Sequence, residues 1–198
     1  MPHPFDRSVR AVEPRIPMAL LLLCAGAVSP AAADVITIKE MQQGITITQQ
    51  QCSQLKQAVW VKAYDQDFCV RYYFSTAGGE GRKPLVFLQG DKLGALSRKG
   101  TFDKVPPDQK DVDTRNLDKV ADGLSKQAKG PGIYLARIGV DGTSGHHQSR
   151  KTALELSMVD EALNAIKKKH RLEGFHLVGQ SGGATLVGGL VSRRQDIG

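Results

Sequence analysis

The chain has 198 residues, of which 40% are hydrophobic and 24% are charged, and this is the composition of one ordinary globular domain. Its formal net charge is +7, but the lysines and arginines are spread along the chain and only 6% of the residues are aromatic. We therefore expect no nucleic-acid partner, and we interpret the charge as a solubility property or a weak attraction to anionic surfaces.

Residues 1–33 have the pattern of a secretory signal peptide. Arginines precede an apolar core over 18–28, and Ala31-Ala32-Ala33 follows as an A-x-A cleavage site. The apolar core is short for a membrane span, although an uncleaved membrane anchor is the alternative interpretation. We expect a mature chain that begins at Asp34, is periplasmic or secreted, and has no stable membrane anchor after processing.

The segment that follows the signal peptide is rich in β-forming residues. We predict an N-terminal extension over 34–58, in which 35–38 and 45–48 pair as a hairpin across a glycine-containing connection. Stronger strand patterns follow at 59–64 and 68–74. Only a short polar turn separates these two strands, so we predict that they form an antiparallel pair.

Two cysteines, Cys52 and Cys69, remain after the signal peptide. Exported proteins meet an oxidising environment, and an even number of cysteines there favours a disulfide. The bond would close a short loop and stabilise the fold by about 3 kcal/mol in the chain-entropy model. Two separate buried thiols are the alternative interpretation.

Buried strands and amphipathic helices alternate from residue 85 onward. The strands are predicted at 85–88, 133–138 and 175–178, and the helices at 115–129 and 151–170. This β-α-β-α-β order requires a parallel sheet with right-handed crossovers. The sequence thus predicts an α/β fold.

The last predicted strand runs into Gly179-Gln180-Ser181-Gly182-Gly183, and an apolar segment with small residues follows, as expected for a helix. G-x-S-x-G between a strand and a helix is the pattern of a nucleophile elbow. A serine at the tip of so tight a turn is held in a strained backbone conformation, and Gly179 and Gly183 remove side chains that would clash. The helix N-terminus also offers backbone N–H groups to an oxyanion. An ordinary glycine- and serine-containing connection is the alternative interpretation.

Over residues 59–198 the chain resembles the N-terminal part of an α/β-hydrolase of the serine esterase or peptidase type. The resemblance rests on the elbow, on 85–91, where the third strand of the family enters its oxyanion loop, and on Gly142-Thr143-Ser144-Gly145 after the fourth strand. Many members have His-Gly where this chain has Gln89-Gly90. The resemblance implies an incomplete α/β-hydrolase-like, mostly parallel sheet with an N-terminal β-hairpin and flanking helices, truncated after the nucleophile helix.

The resemblance also implies acyl transfer to water from a small-molecule ester or a peptide. Ser181 is then the nucleophile. The backbone N–H of Gly182, with that of Gly90 or Asp91, is expected to bind the oxyanion. No metal and no organic cofactor is implied. A non-catalytic α/β-hydrolase-like binding or interaction module is the alternative.

In this family the acid and then the histidine of the triad follow the serine. Only 17 residues follow Ser181, so we expect both partners to be missing from the chain. His146 and His147 are the nearest candidates for a substitute base, because their loop is predicted at the same sheet edge, but a surface role is the plainer interpretation. We also expect an open strand edge at 175–178, which invites self-association.

Overall fold

The computed structural model describes residues 35–91 and 111–198, so the predicted signal peptide lies outside the described residues. In chain order the strands and helices are β1 (Val35–Ile36), α1 (Ile38–Gln43), α2 (Gln49–Gln54), β2 (Ala58–Ala63), β3 (Gln66–Ser75), β4 (Leu85–Leu88), β5 (Val112–Asp113), α3 (Thr114–Ala128), β6 (Gly132–Leu135), α4 (Ala153–His170), β7 (His176–Gly179) and α5 (Gly182–Val191). None of the helices in these ranges is both long and apolar enough to cross a bilayer.

Five strands form the main sheet, in the order β2-β3-β6-β4-β7. β3 is antiparallel to both of its neighbours, whereas β4 is parallel to β6 and to β7. This confirms the predicted α/β fold, with a mostly parallel sheet and an antiparallel hairpin at its start. The hairpin turn is shorter than predicted, since Ala63 already pairs with Gln66. The turn closes early because Tyr64 adopts a left-handed backbone conformation with a φ of 52°.

The predicted pairing of 35–38 with 45–48 is wrong. β1 pairs instead with the distant strand β5, and most of the connection between the two segments is the helix α1. Thr37 begins that helix with a capping box, in which its side chain accepts from the Glu40 N–H and the Glu40 side chain accepts from the Thr37 N–H. These two local hydrogen bonds outweigh the β propensity of the neighbouring isoleucines.

The predicted disulfide links α2 to β3. The sulfur atoms of Cys52 and Cys69 are 2.05 Å apart. α2 begins with a second capping box, between Thr48 and Gln51, which fixes the orientation of the helix that carries Cys52. Both cysteines are buried with Ala58 in a small cluster of their own, so the bond ties the N-terminal segment to the sheet.

Helices cover both faces of the sheet. α4 and α5 pack on one face, against Ile133 and Leu135 of β6, while α1 and α3 pack on the other, against Tyr134. α3 connects β4 to β6 and α4 connects β6 to β7, so the two crossovers leave on opposite faces. After β4 the chain continues to β6 on one side of it, and after β6 it continues to β7 on the other side. The direction in which strands are added therefore reverses at β4. In open α/β sheets, ligands bind beyond the carboxyl ends of the strands at such a switch point.

β7 lies at the edge of the sheet. The N–H of Phe175, just before it, donates to the Asp196 carbonyl (2.9 Å), and the Gly198 N–H donates to the Phe175 carbonyl (3.0 Å). Ile197 thus runs parallel to the start of this edge. No strand within the described ranges pairs with the outer edge of β7 itself.

Candidate active site

Ser181 occupies the sharp turn between β7 and α5. Its φ of 49° and ψ of −117° are unusual for a residue with a side chain, and such a conformation costs about 1–3 kcal/mol. The residue is exposed, and its side chain makes no capping hydrogen bond to α5. The hydroxyl group is therefore displayed at the start of the helix by a strained backbone, as the elbow pattern predicts.

Two glycines allow α5 to begin directly beyond the turn. A Cβ on Gly179 would lie 2.5 Å from the Ala184 nitrogen, and a Cβ on Gly183 would lie 2.0 Å from the Leu88 carbonyl oxygen. Both distances are shorter than real side chains tolerate, and both contacts are with backbone atoms. The helix can lie this close to β7 and β4 only because these two positions lack side chains.

The loop after β4 contacts the elbow. A Cβ on Gly90 would lie 3.1 Å from the Gln180 carbonyl oxygen and 3.2 Å from the Ser181 Cβ. Gly182 is the first residue of α5, so its N–H has no acceptor within the helix. The structure thus brings together four of the residues predicted for the site, which are Ser181, Gly182, Gly90 and Asp91.

The Asp91 side chain has a role that the sequence did not reveal. Its carboxylate accepts a hydrogen bond from Arg137 Nη1 (2.9 Å), forms a salt bridge with Lys151 and lies 3.5 Å from Arg150 Nη1. A Cβ on Gly182 would be only 2.7 Å from Asp91 Oδ1, so the carboxylate packs directly against the start of α5. Burial raises the pKa of Asp91, but the cationic neighbours outweigh burial and hold it below its ordinary value.

Arg137 connects this carboxylate to the interior. Its side chain is 1% exposed, and Nε and Nη2 donate to Glu155 Oε1 (2.9 Å) and Oε2 (2.8 Å) in a bidentate pair. Nη1 donates to the Gln89 carbonyl (3.2 Å) as well as to Asp91. Burial lowers the pKa of Arg137, but the two carboxylates raise it by more than burial lowers it. The pKa therefore lies above its ordinary value, and the guanidinium stays charged. Arg137 lies two residues beyond the end of β6, and no local pattern in the sequence indicated this contact.

The two candidate histidines lie in the loop that connects β6 to α4. Gly145, just before them, forms an antiparallel bridge with Ile45, which holds their loop on the β3 side of β6. With neighbouring strands about 4.8 Å apart, β6 and β7 are separated by about 10 Å. The rings of His146 and His147 stack with centroids 4.7 Å apart, and His147 is 3% exposed. The role of this pair as a substitute base stays a prediction.

No group of three or more His, Cys, Asp or Glu side chains in residues 35–91 and 111–198 is arranged to hold a metal ion. The candidate site contains the Ser181 hydroxyl, the backbone amides around it and a cluster of charged side chains. We call Asp91, Arg137, Arg150, Lys151 and Glu155 the Asp91 cluster.

The fold and the site define an α/β protein with a serine elbow at the switch point of its sheet. Models of known protein families do not match the sequence, and neither do curated protein sequences. The chain is similar to several solved structures. An esterase from Pyrococcus furiosus, Pf2001, is 13% identical with a TM-score of 0.47, and the match covers 77% of this chain and 52% of that chain.

Two further solved structures are similar to a lesser degree. An α/β-hydrolase-fold protein from Chitinophaga pinensis is 16% identical with a TM-score of 0.39, and the match covers 71% of this chain and 40% of that one. A proline iminopeptidase from Mycobacterium smegmatis is 13% identical with a TM-score of 0.38, covering 71% and 41%. The chain thus spans about half the length of these structures or less. The function proposed below rests on the geometry of the elbow and not on these similarities.

Proposed function

We propose that this chain is a serine hydrolase that transfers an acyl group from an ester or amide to water, with Ser181 as the nucleophile. The observation that carries the proposal is the backbone of Ser181, which is held at a φ of 49° with its side chain exposed at the start of α5. Strain of this kind persists only where the surroundings enforce it, and it is concentrated at functional sites. Here close glycine contacts on both sides of the serine enforce it.

The proposed mechanism uses the amides around the elbow. Ser181 Oγ attacks the carbonyl carbon, and the electron pair of the carbonyl moves onto its oxygen. The N–H of Gly182, with that of Gly90 or Asp91, donates to this oxyanion, and each well-placed donor stabilises the transition state by about 3–4 kcal/mol. The partial positive charge at the start of α5 acts in the same direction. When the oxyanion intermediate collapses, the bond to the alcohol or amine breaks and the leaving group takes up the serine proton. Water then cleaves the acyl-serine, which releases the acid and restores the serine hydroxyl.

The Asp91 cluster keeps this region electrostatically suitable for an oxyanion. A lone carboxylate packed against Gly182 would repel a developing negative charge. The cluster contains three cationic side chains and two carboxylates, so its net charge is positive. Asp91 therefore supports the proposed site through its hydrogen bonds without making it anionic.

The serine also needs a base to take its proton. Without one, turnover in a triad hydrolase falls on the order of a millionfold. We propose that the triad acid and histidine are missing from these 198 residues, and that Ser181 keeps the slow reactivity that an oxyanion hole and binding alone supply, which is about 10³–10⁴-fold over water. Export to the periplasm or the medium, and a small-molecule ester or peptide substrate, belong to the same proposal.

A fluorophosphonate probe tests the proposal, because it labels only an activated serine. We expect labelling of the chain that is lost in Ser181→Ala and retained in the control Ser192→Ala, an exposed serine just beyond α5. Equal labelling of Ser181→Ala and the unmodified chain would contradict the proposal. No labelling at all would favour the non-catalytic binding module, and loss in His147→Ala would assign the base to the histidine pair.

A further inference from the structure

The loop that supplies the second proposed oxyanion donor, the N–H of Gly90 or Asp91, is held by side chains from both faces of the sheet. Arg137 reaches it from the face that α4 covers, and Tyr134 reaches it from the face that α3 covers. Both come from β6 or from the residues just after it. The position of Gly90 is therefore determined by side chains that do not themselves belong to the loop.

Arg137 holds the loop on either side of Gly90. A single nitrogen, Nη1, donates to the carbonyl of Gln89 and to the carboxylate of Asp91. The residues before and after Gly90 are thus attached to one rigid group, so the peptide units between them have little freedom to rotate. A lysine has no planar fork and cannot satisfy these acceptors together with Glu155.

Glu155 in turn fixes the guanidinium. It is fully buried in the first turn of α4, where its N–H donates to the Thr152 hydroxyl (3.3 Å) and its Oε2 accepts from the Lys151 N–H (2.6 Å). Its carboxylate is therefore held by the helix start and binds Arg137 in the bidentate geometry described above. The connection runs from the start of α4 through Glu155 and Arg137 to the loop.

We infer that Arg137 is the positioning residue of the proposed oxyanion hole, setting the amides of Gly90 and Asp91 relative to Gly182, with Glu155 as its support. This inference rests on the function proposed above. Oxyanion donors act only within about 2.7–3.1 Å of the developing charge. A misplacement of about 1 Å reduces the rate about 100-fold, so a rigid attachment of the loop has a direct kinetic consequence.

Tyr134 completes the arrangement from the opposite face. Its hydroxyl is hydrogen-bonded to the Gln89 side chain and to Asp141 Oδ2, the latter at 2.6 Å. Gln89 is thus held through its side chain by Tyr134 and through its backbone by Arg137. Gln89 is therefore the residue of the loop that both Tyr134 and Arg137 contact.

Backbone dynamics test the inference without any need for activity. In ¹⁵N relaxation measurements on the folded chain, we expect order parameters of about 0.85 for Gly90 and Asp91, falling below about 0.6 in Arg137→Lys. Arg194→Lys is the matched control: its guanidinium is 7% exposed and binds Asp160 and Asp196 near the start of β7, at the opposite end of that strand. Unchanged order parameters in a folded Arg137→Lys would overturn the inference.

A second variant tests the inference if Arg137→Lys does not fold. Arg137→Met combined with Glu155→Met removes both partners, so no unpaired charge is left buried. We expect the same loss of order at Gly90 and Asp91, with the remaining strands unaffected. Retained order in this folded double variant would equally overturn the inference.

The kinetics of labelling separate this inference from the proposed function. If the unmodified chain is labelled at Ser181, Arg137→Lys should lower the maximal labelling rate constant by about 10- to 100-fold without changing the half-saturating probe concentration, because the hole acts in the transition state. An unchanged rate constant would overturn the inference. If the unmodified chain is not labelled, the proposed function fails, and the relaxation measurement still decides the role of Arg137.

Discussion

Two glycines of the same helix give a direct test of the elbow geometry. A Cβ on Gly183 would lie 2.0 Å from the Leu88 carbonyl oxygen, whereas a Cβ on Gly188 meets nothing within 4 Å. Real contacts of a Cβ begin near 3.0 Å, so Gly183→Ala must move α5 away from β4 by about 1 Å. Overpacking against a well-packed interior costs about 1–3 kcal/mol, and here it acts against backbone.

The helix propensity of alanine acts in the opposite direction, by about 1 kcal/mol relative to glycine. We therefore expect Gly188→Ala to raise the free energy of unfolding by up to about 1 kcal/mol, and Gly183→Ala to lower it by up to about 2 kcal/mol. In a chain of this size, 1 kcal/mol shifts the melting temperature by about 2–4 °C. Urea and thermal unfolding of both variants measure the difference, and equal stabilisation by the two alanines would refute the close packing of α5.

Three further predictions concern other parts of the chain. Replacing Cys52 and Cys69 by alanine should lower the free energy of unfolding by about 3 kcal/mol, measured in urea, and reducing agent should then have no further effect. Partial burial raises the pKa of Asp196, but hydrogen bonds from two cations lower it to about 2. The folded pKa is below the unfolded value of 3.8, so this carboxylate stabilises the fold above about pH 4, and its contribution is lost as the pH falls towards 2. In Asp196→Asn, the free energy of unfolding should therefore depend less steeply on pH between about 4 and 2. Self-association through the edge of β7 should decrease in light scattering for Val178→Lys, whose residue is 45% exposed, and not for Tyr64→Lys, whose residue is 64% exposed in the hairpin turn.

The elements that the sequence predicted correctly are those with local signals. The helices α3 and α4 follow from apolar residues at helical spacing, and the elbow follows from five consecutive residues. The predicted pairing of 35–38 with 45–48 is wrong because a capping box and a strand can share the same isoleucine-threonine composition. Thr37 and Glu40 decide between them, and their three-residue spacing is visible in the sequence.

The contacts around Asp91 could not be predicted from any local pattern. Arg137 lies 46 residues from Asp91 and 18 residues from Glu155 along the chain. Their meeting depends on which strands are neighbours and on which face each side chain leaves the sheet. The sequence indicated that strands and helices alternate, but it did not indicate that β6 lies between β3 and β4.

The parallel register of β4 and β6 explains why Arg137 acts on this loop. Leu88 is opposite Leu135, so continuing the register places Arg137 beside Gly90. Successive side chains alternate between faces, which sends Tyr134 towards α3 while Arg137 points towards Glu155 in α4. A shift of one residue would exchange the two faces and take the guanidinium away from its carboxylate. The pairing of these two short strands therefore determines where the proposed oxyanion donors lie relative to Ser181.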